Sequence, residues 1–165
     1  MNNQEHILIS LAPRHAENIF AGRKKIELRR RSMNVAPGTI VWIYVTLPVG
    51  SIIGRAKIKA IHKASPNALW RQFGSVSGLV RGEFLKYLDG LEEGVVLELD
   101  DAKILSRPFS LDSLRDIAEG FNPPQFFIRL KEEHPLFDTF TDSTQRFRKK
   151  YDLTTRLFEH VHGAY

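Results

Sequence analysis

Short apolar runs, each too brief for a long helix and most bounded by proline or glycine, set the range of folds open to this chain. His6-Ile7-Leu8-Ile9-Ser10-Leu11 is nearly all apolar and reads as a well-buried first strand. Thr39 to Val45 is β-branched and aromatic, the composition of a central strand. Ser51 to His62 alternates Ala56, Ile58 and Ala60 against Arg55, Lys57 and Lys59, the period of two expected of a strand. Val95 to Leu99 and Ala102 to Leu105 read as a hairpin turning at Asp100-Asp101. Asn122-Pro123-Pro124 leads into a last short strand, Phe126 to Leu130.

Helical signals fall between these runs. Pro13 starts a short helix with Ala16, Ile19 and Phe20 on its inner face, and Gly22 stands where a left-handed residue ends a helix. Ser65-Pro66 opens a second helix through Trp70 and Phe73, and a third runs through Phe84, Leu85 and Leu88 to Gly90. From Thr141 the pattern turns polar, with Phe147, Tyr151, Leu153, Leu157 and Phe158 spaced as in an appended helix. Five or more strands with helices between the early ones predict an α+β fold: a small, mostly antiparallel barrel with helices outside it. The expected division is a domain over 1–135 and a helical extension over 136–165.

Composition narrows the class. A chain of 165 residues, 42% hydrophobic and 26% charged, describes a globular domain with a full core. The net charge of +5, with a pI of about 9.6, is unevenly spread. Arg23 to Arg31 holds six cations and Arg146 to Lys150 four more, which favours an anionic partner. There is no cysteine, so disulfides, thiol nucleophiles and cysteine metal sites are excluded. The polar start, Met1 to His6, and the lack of any run near 20 apolar residues predict a cytoplasmic protein without a membrane partner.

The densest charge lies in Ala21-Gly22-Arg23-Lys24-Lys25-Ile26-Glu27-Leu28-Arg29-Arg30-Arg31. Ile26 and Leu28 anchor one face of a strand and turn Lys25, Glu27 and Arg29 to the other. Two readings stay open: a solvated basic strand edge, or a phosphate-facing site in which Glu27 holds selected cations. Lys24 acts as a base only where burial or neighbouring cations lower its pKa from about 10.4. Strict alternation places it with Ile26 and Leu28, so it reaches a cleft only if the strand begins after it.

Glu27 is read foremost as an acid that orients Arg29, whose planar fork suits a bidentate phosphate contact. Gln125 offers an amide either to a base edge or to loop backbone. Trp42 and Tyr44 share one parity of a central strand, for core packing or base stacking. His160 and His162 lack a third ligand nearby in sequence, and no phosphate loop, serine elbow or dinucleotide fingerprint occurs. No metal or cofactor is expected.

Taken together, Ser10-Leu11, Ala16 to Lys24, Glu27-Leu28-Arg29, Val41 to Val45, Ile53-Gly54, Gly82-Glu83-Phe84, Gly94-Val95-Val96 and Pro123 to Phe126 resemble the ASCH domain family. The resemblance covers roughly residues 6 to 130 and centres on Gly22, Lys24, Glu27 and Arg29. It implies a barrel related to the PUA fold and an RNA- or nucleotide-binding cleft lined by the motif residues. Some members hydrolyse N-acylated cytidine with a lysine, a threonine and a glutamate, and others are linked to ribonuclease action. The lysine corresponds to Lys24; Glu27 stands at the threonine position, and Gly74-Ser75-Val76-Ser77 holds no acid.

The combined reading is an RNA- or nucleotide-binding module, with DNA a further anionic partner. Its expected ligand-binding residues are Arg23, Lys24, Lys25, Glu27, Arg29, Arg30, Tyr44 and Gln125. Alternatives are a hydrolase on modified nucleosides or a ribonuclease, with Lys24 and Glu27 as catalytic residues, and a module that meets an acidic protein. The sequence leaves the oligomeric state open.

Overall fold

The apolar runs pair into one curled six-stranded sheet, a half-barrel with helices packed around it. The computed structural model describes residues 4–149. In chain order the elements are β1 (His6–Leu11), α1 (Pro13–Phe20), β2 (Ile26–Arg29), β3 (Ile40–Val45), β4 (Ser51–Ala64) and α2 (Pro66–Phe73). A single 3-10 turn (Gly74–Val76) leads to α3 (Arg81–Tyr87), β5 (Gly94–Ser110), α4 (Leu111–Ile117), β6 (Ile128–Arg129) and α5 (Phe137–Thr141). The strand order is β2-β5-β4-β3-β1-β6, antiparallel except where β1 runs parallel to β3. That parallel pair requires a crossover, which α1 and β2 provide.

Alternation divides each central strand between two cores. Ile7, Ile9, Leu11, Val41, Ile43 and Val45 face the concave side, which Ala16, Ile19 and Phe20 of α1 close. Leu8, Ile40, Trp42 and Tyr44 face the convex side, beneath Leu114 of α4 and Phe140 of α5. Both faces are dry, which explains why β1 and β3 carry nearly continuous apolar sequence. Each wholly buried isoleucine contributes about 1.5–3 kcal/mol. Trp42 satisfies its one polar atom by donating from Nε1 to His6 Nδ1 at 3.1 Å. Burial, reinforced by Arg55, lowers the His6 pKa, which keeps that acceptor nitrogen free of a proton.

Asp100-Asp101 is not a hairpin turn. β5 runs unbroken from Gly94 to Ser110, and both halves pair with β4, through Ile58↔Leu99 and Arg55↔Lys103. The turn-forming residues mark a bulge instead, with Asp101 at φ 52° and a register shift between Arg55 and Lys57. At Gly54 the strands come so close that a Cβ would run into the Lys103 carbonyl.

The segment read as an appended helix also differs within the described residues. α5 ends at Thr141, and Phe147 then bridges Leu105 along β5. Tyr151, Leu153, Leu157, Phe158, His160 and His162 lie outside the described residues. No helix among the described residues is long and apolar enough to cross a membrane.

Candidate nucleic-acid interface

The chain leaves α1 sharply. Gly22 takes φ 80°, and the Arg23 and Lys24 amides both donate to the Asn18 carbonyl at 2.9 Å. β2 then begins at Ile26, so Lys24 precedes the strand and escapes its alternation. Its side chain turns inward, 3% exposed, and Nζ donates to the Ser77 carbonyl at 2.6 Å. Glu27 Oε2 lies 4.0 Å from that ammonium, and Glu27 Oε1 lies 3.6 Å from Arg29 Nη2. Arg29 Nη1 donates to the Phe126 carbonyl at 3.1 Å, while its Nε is buried without a partner.

The basic strand edge is therefore not solvated at these positions. Lys24, Glu27 and Arg29 form a buried row, two cations around one carboxylate, below the surface. Desolvation is the chief cost of such a row, and Glu27 together with two backbone carbonyls offsets it. Burial drives the Lys24 pKa below the ordinary lysine value; Glu27 opposes that shift, and Arg14 and Arg29 add to it.

The other expected residues separate. Arg23 is exposed, its Nε donating to Asn18 Oδ1 at 2.9 Å. Arg30 donates to the Tyr87 and Asp89 carbonyls at 2.7 and 3.0 Å, at the C-terminal end of α3. Lys25 is exposed, and its backbone joins Val76 to Leu99. Gln125 is exposed beside Phe126. Tyr44 faces the convex core, away from the row, and burial raises its pKa against the opposing charge of Arg115.

An open depression of about 960 Å³ lies beside the buried row. Arg14 and Asn18 of α1, Arg23 after it, Trp70 of α2, the Gly74 to Val80 loop and Arg81 of α3 form its walls. Of the residues expected in a cleft, Arg23 alone lines it; Arg14, Trp70 and Arg81 were not expected there. Isolated arginines on separate helices carry no local pattern, so only the fold brings them together.

Internal bonds hold the loop. Ser77 is fully buried, its Oγ donating to the Gly74 carbonyl at 2.7 Å and accepting from the Leu79 amide at 3.1 Å. Gly78, at φ 70°, packs against Lys24, where a Cβ would lie 3.3 Å from the lysine Cβ. Arg14 clamps Glu83 with two bonds of 2.7 and 2.9 Å, and Glu83 also accepts from the Val80 amide. That clamp, with the amide bond, holds the exposed Glu83 carboxyl at a pKa of about 2. His15, half-buried on α1, leaves Nδ1 unpartnered. Burial, then Lys24, lowers its pKa. No group of three or more potential metal-ligating side chains occurs among the described residues.

The ASCH domain family matches residues 9–109, which span β1 to β5 and both walls of the depression. The chain belongs to the ASCH domain family. An ASCH domain-containing ribonuclease from Zymomonas mobilis is 36% identical over 131 residues, covering 79% of this chain and 88% of that protein. The crystal structure of an ASCH protein from Zymomonas mobilis superposes with a TM-score of 0.77 at 34% identity, covering 86% of this chain and 96% of the other. A tyrosine-to-phenylalanine variant of that protein gives a TM-score of 0.78 at 33% identity, covering 87% and 100%. The N-terminal domain of Staphylothermus marinus McrB shares the fold alone, with a TM-score of 0.51 at 11% identity over 78% of this chain and 89% of that domain.

Within this ASCH domain Lys24, Glu27 and Arg29 lie buried, and their neighbour Arg23 lines the open depression.

Proposed function

We propose that this ASCH domain binds single-stranded RNA across the depression between α1, the Gly74 to Val80 loop and α3. One observation carries the reading: Arg14, Arg23 and Arg81, from three separate segments, converge on one open concavity. Arg81 has no side-chain partner among the described residues, and Arg23 makes only one side-chain hydrogen bond and a 3.9 Å approach to Glu17. Both are therefore available to phosphates. The Lys24–Glu27–Arg29 row sits behind them, and Lys24 holds the loop through the Ser77 carbonyl. The ribonuclease relative supports RNA as the anionic partner.

Cleavage of the bound RNA is the second reading. It rests on that same relative and on a lysine with a lowered pKa beside the depression. Lys24 is the candidate base and Glu27 the carboxylate that holds it, once the Ser77 carbonyl releases the ammonium. N-acylated cytidine hydrolysis has less support, because the loop at 74–77 supplies no acid and Glu83 is held by Arg14.

The test is binding of a fluorescent single-stranded oligoribonucleotide to wild type and to an Arg23→Ala/Arg81→Ala double variant, with the RNA examined by electrophoresis afterwards. Binding that the double variant loses supports the reading; equal binding by both proteins sinks it. RNA shortened by wild type and left whole by Lys24→Ala promotes cleavage from second reading to first.

A further inference from the structure

Resting on that RNA-binding reading, we propose that Trp70 is a stacking platform that seats one unpaired base, so that the depression selects single-stranded over duplex RNA. The chain has two tryptophans, and they are placed in opposite ways. Trp42 is wholly buried in the convex core. Trp70 is half-buried, and its exposed part forms wall in the arginine-lined depression. The indole is held rigidly. A Cβ at Gly74 would lie 2.6 Å from its six-membered ring, so the ring rests directly on backbone. Phe84 meets it edge-on at 5.3 Å between centroids.

Core packing against Phe84 and Gly74 explains the buried part of Trp70, but not the part left on the open rim. A fixed aromatic surface among cations instead matches what unpaired nucleic acid needs: the arginines take phosphates and the ring takes a base face. The depression is also at the large end of the roughly 300–1,000 Å³ range of small-molecule pockets. Being open to solvent, it suits a stretch of strand more than a single enclosed nucleotide. In duplex RNA the bases are stacked on one another and the ring has nothing to receive.

The placement of the tryptophans supplies its own readout, because bound bases can quench Trp70 and cannot reach Trp42. Titration of wild type with a single-stranded octaribonucleotide is expected to quench tryptophan emission, and a duplex of equal length is not. Trp70→Leu is expected to lower single-strand affinity about 10-fold while leaving weak duplex binding unchanged. A second measurement guards against misfolding of that variant. Octaribonucleotide carrying 5-iodouridine, irradiated on wild-type protein, is expected to cross-link to the peptide containing Trp70. Cross-links confined to other peptides, or undiminished binding by a folded Trp70→Leu, overturn the stacking proposal. If Arg81→Ala still weakens binding in that case, RNA binding itself stands; no binding by wild type overturns both.

Discussion

Lys24 Nζ and the Ser77 carbonyl oxygen are joined by a 2.6 Å hydrogen bond that crosses from the start of β2 to the loop before α3. The bond is buried and charge-assisted, and it fixes the inner side of a loop whose outer side walls the depression. A strongly basic segment thus turns one of its cations inward.

Replacing Lys24 by alanine leaves the Ser77 carbonyl unsatisfied and removes one of the two cations beside Glu27. Arg29 still faces Glu27, so the loss stays below that of a fully orphaned charge, at about 2–3 kcal/mol. The expected fall in Tm is about 5–10 °C by calorimetry. An unchanged Tm would show that the ammonium is solvated in solution.

Arg29→Lys keeps the charge and loses the fork that reaches Glu27 and the Phe126 carbonyl together. A stability loss of about 1–2 kcal/mol is expected in urea unfolding. RNA affinity of the folded variant is expected to stay within about twofold of wild type. Unchanged stability with a many-fold loss of affinity would place Arg29 on the ligand instead.

Glu83 carries the sharpest pH signature. Its folded pKa of about 2 lies below the ordinary glutamate value. The Arg14–Glu83 contribution to stability is therefore complete above roughly pH 4.5 and is lost as pH falls towards 2. The pair is exposed, so salt screens it and the stability effect is small. Carboxyl titration by NMR is expected to raise the Glu83 midpoint in Arg14→Ala, short of the ordinary value because the Val80 amide still donates to it. A midpoint near 2 in that variant would assign the shift to the Val80 amide.

The half-barrel was legible because β1, β3 and β4 announce themselves by composition and alternation. The bulge at Asp101 was not: Asp-Asp suits a turn as well as a left-handed residue within a strand, and only pairing with both halves of β4 separates them. The motif residues stand out in the sequence, but their depth does not. Alternation assigns Glu27 and Arg29 to the face opposite Ile26 and Leu28, yet cannot show that Phe126 and the concave core cover that face. Lys24 reaches the row because β2 starts two residues later. Arg14, Trp70 and Arg81 stand far apart in sequence, and no periodicity links them.

The most direct test is the salt dependence of single-stranded RNA binding by wild type and by Arg23→Ala/Arg81→Ala. Each phosphate contact on a single strand contributes about 0.7 to the slope of log K against log salt. The expected result is a wild-type slope steeper by about 1.4 than that of the double variant, with weaker binding by the variant at every salt concentration. Equal slopes and equal affinities would contradict RNA binding across this depression.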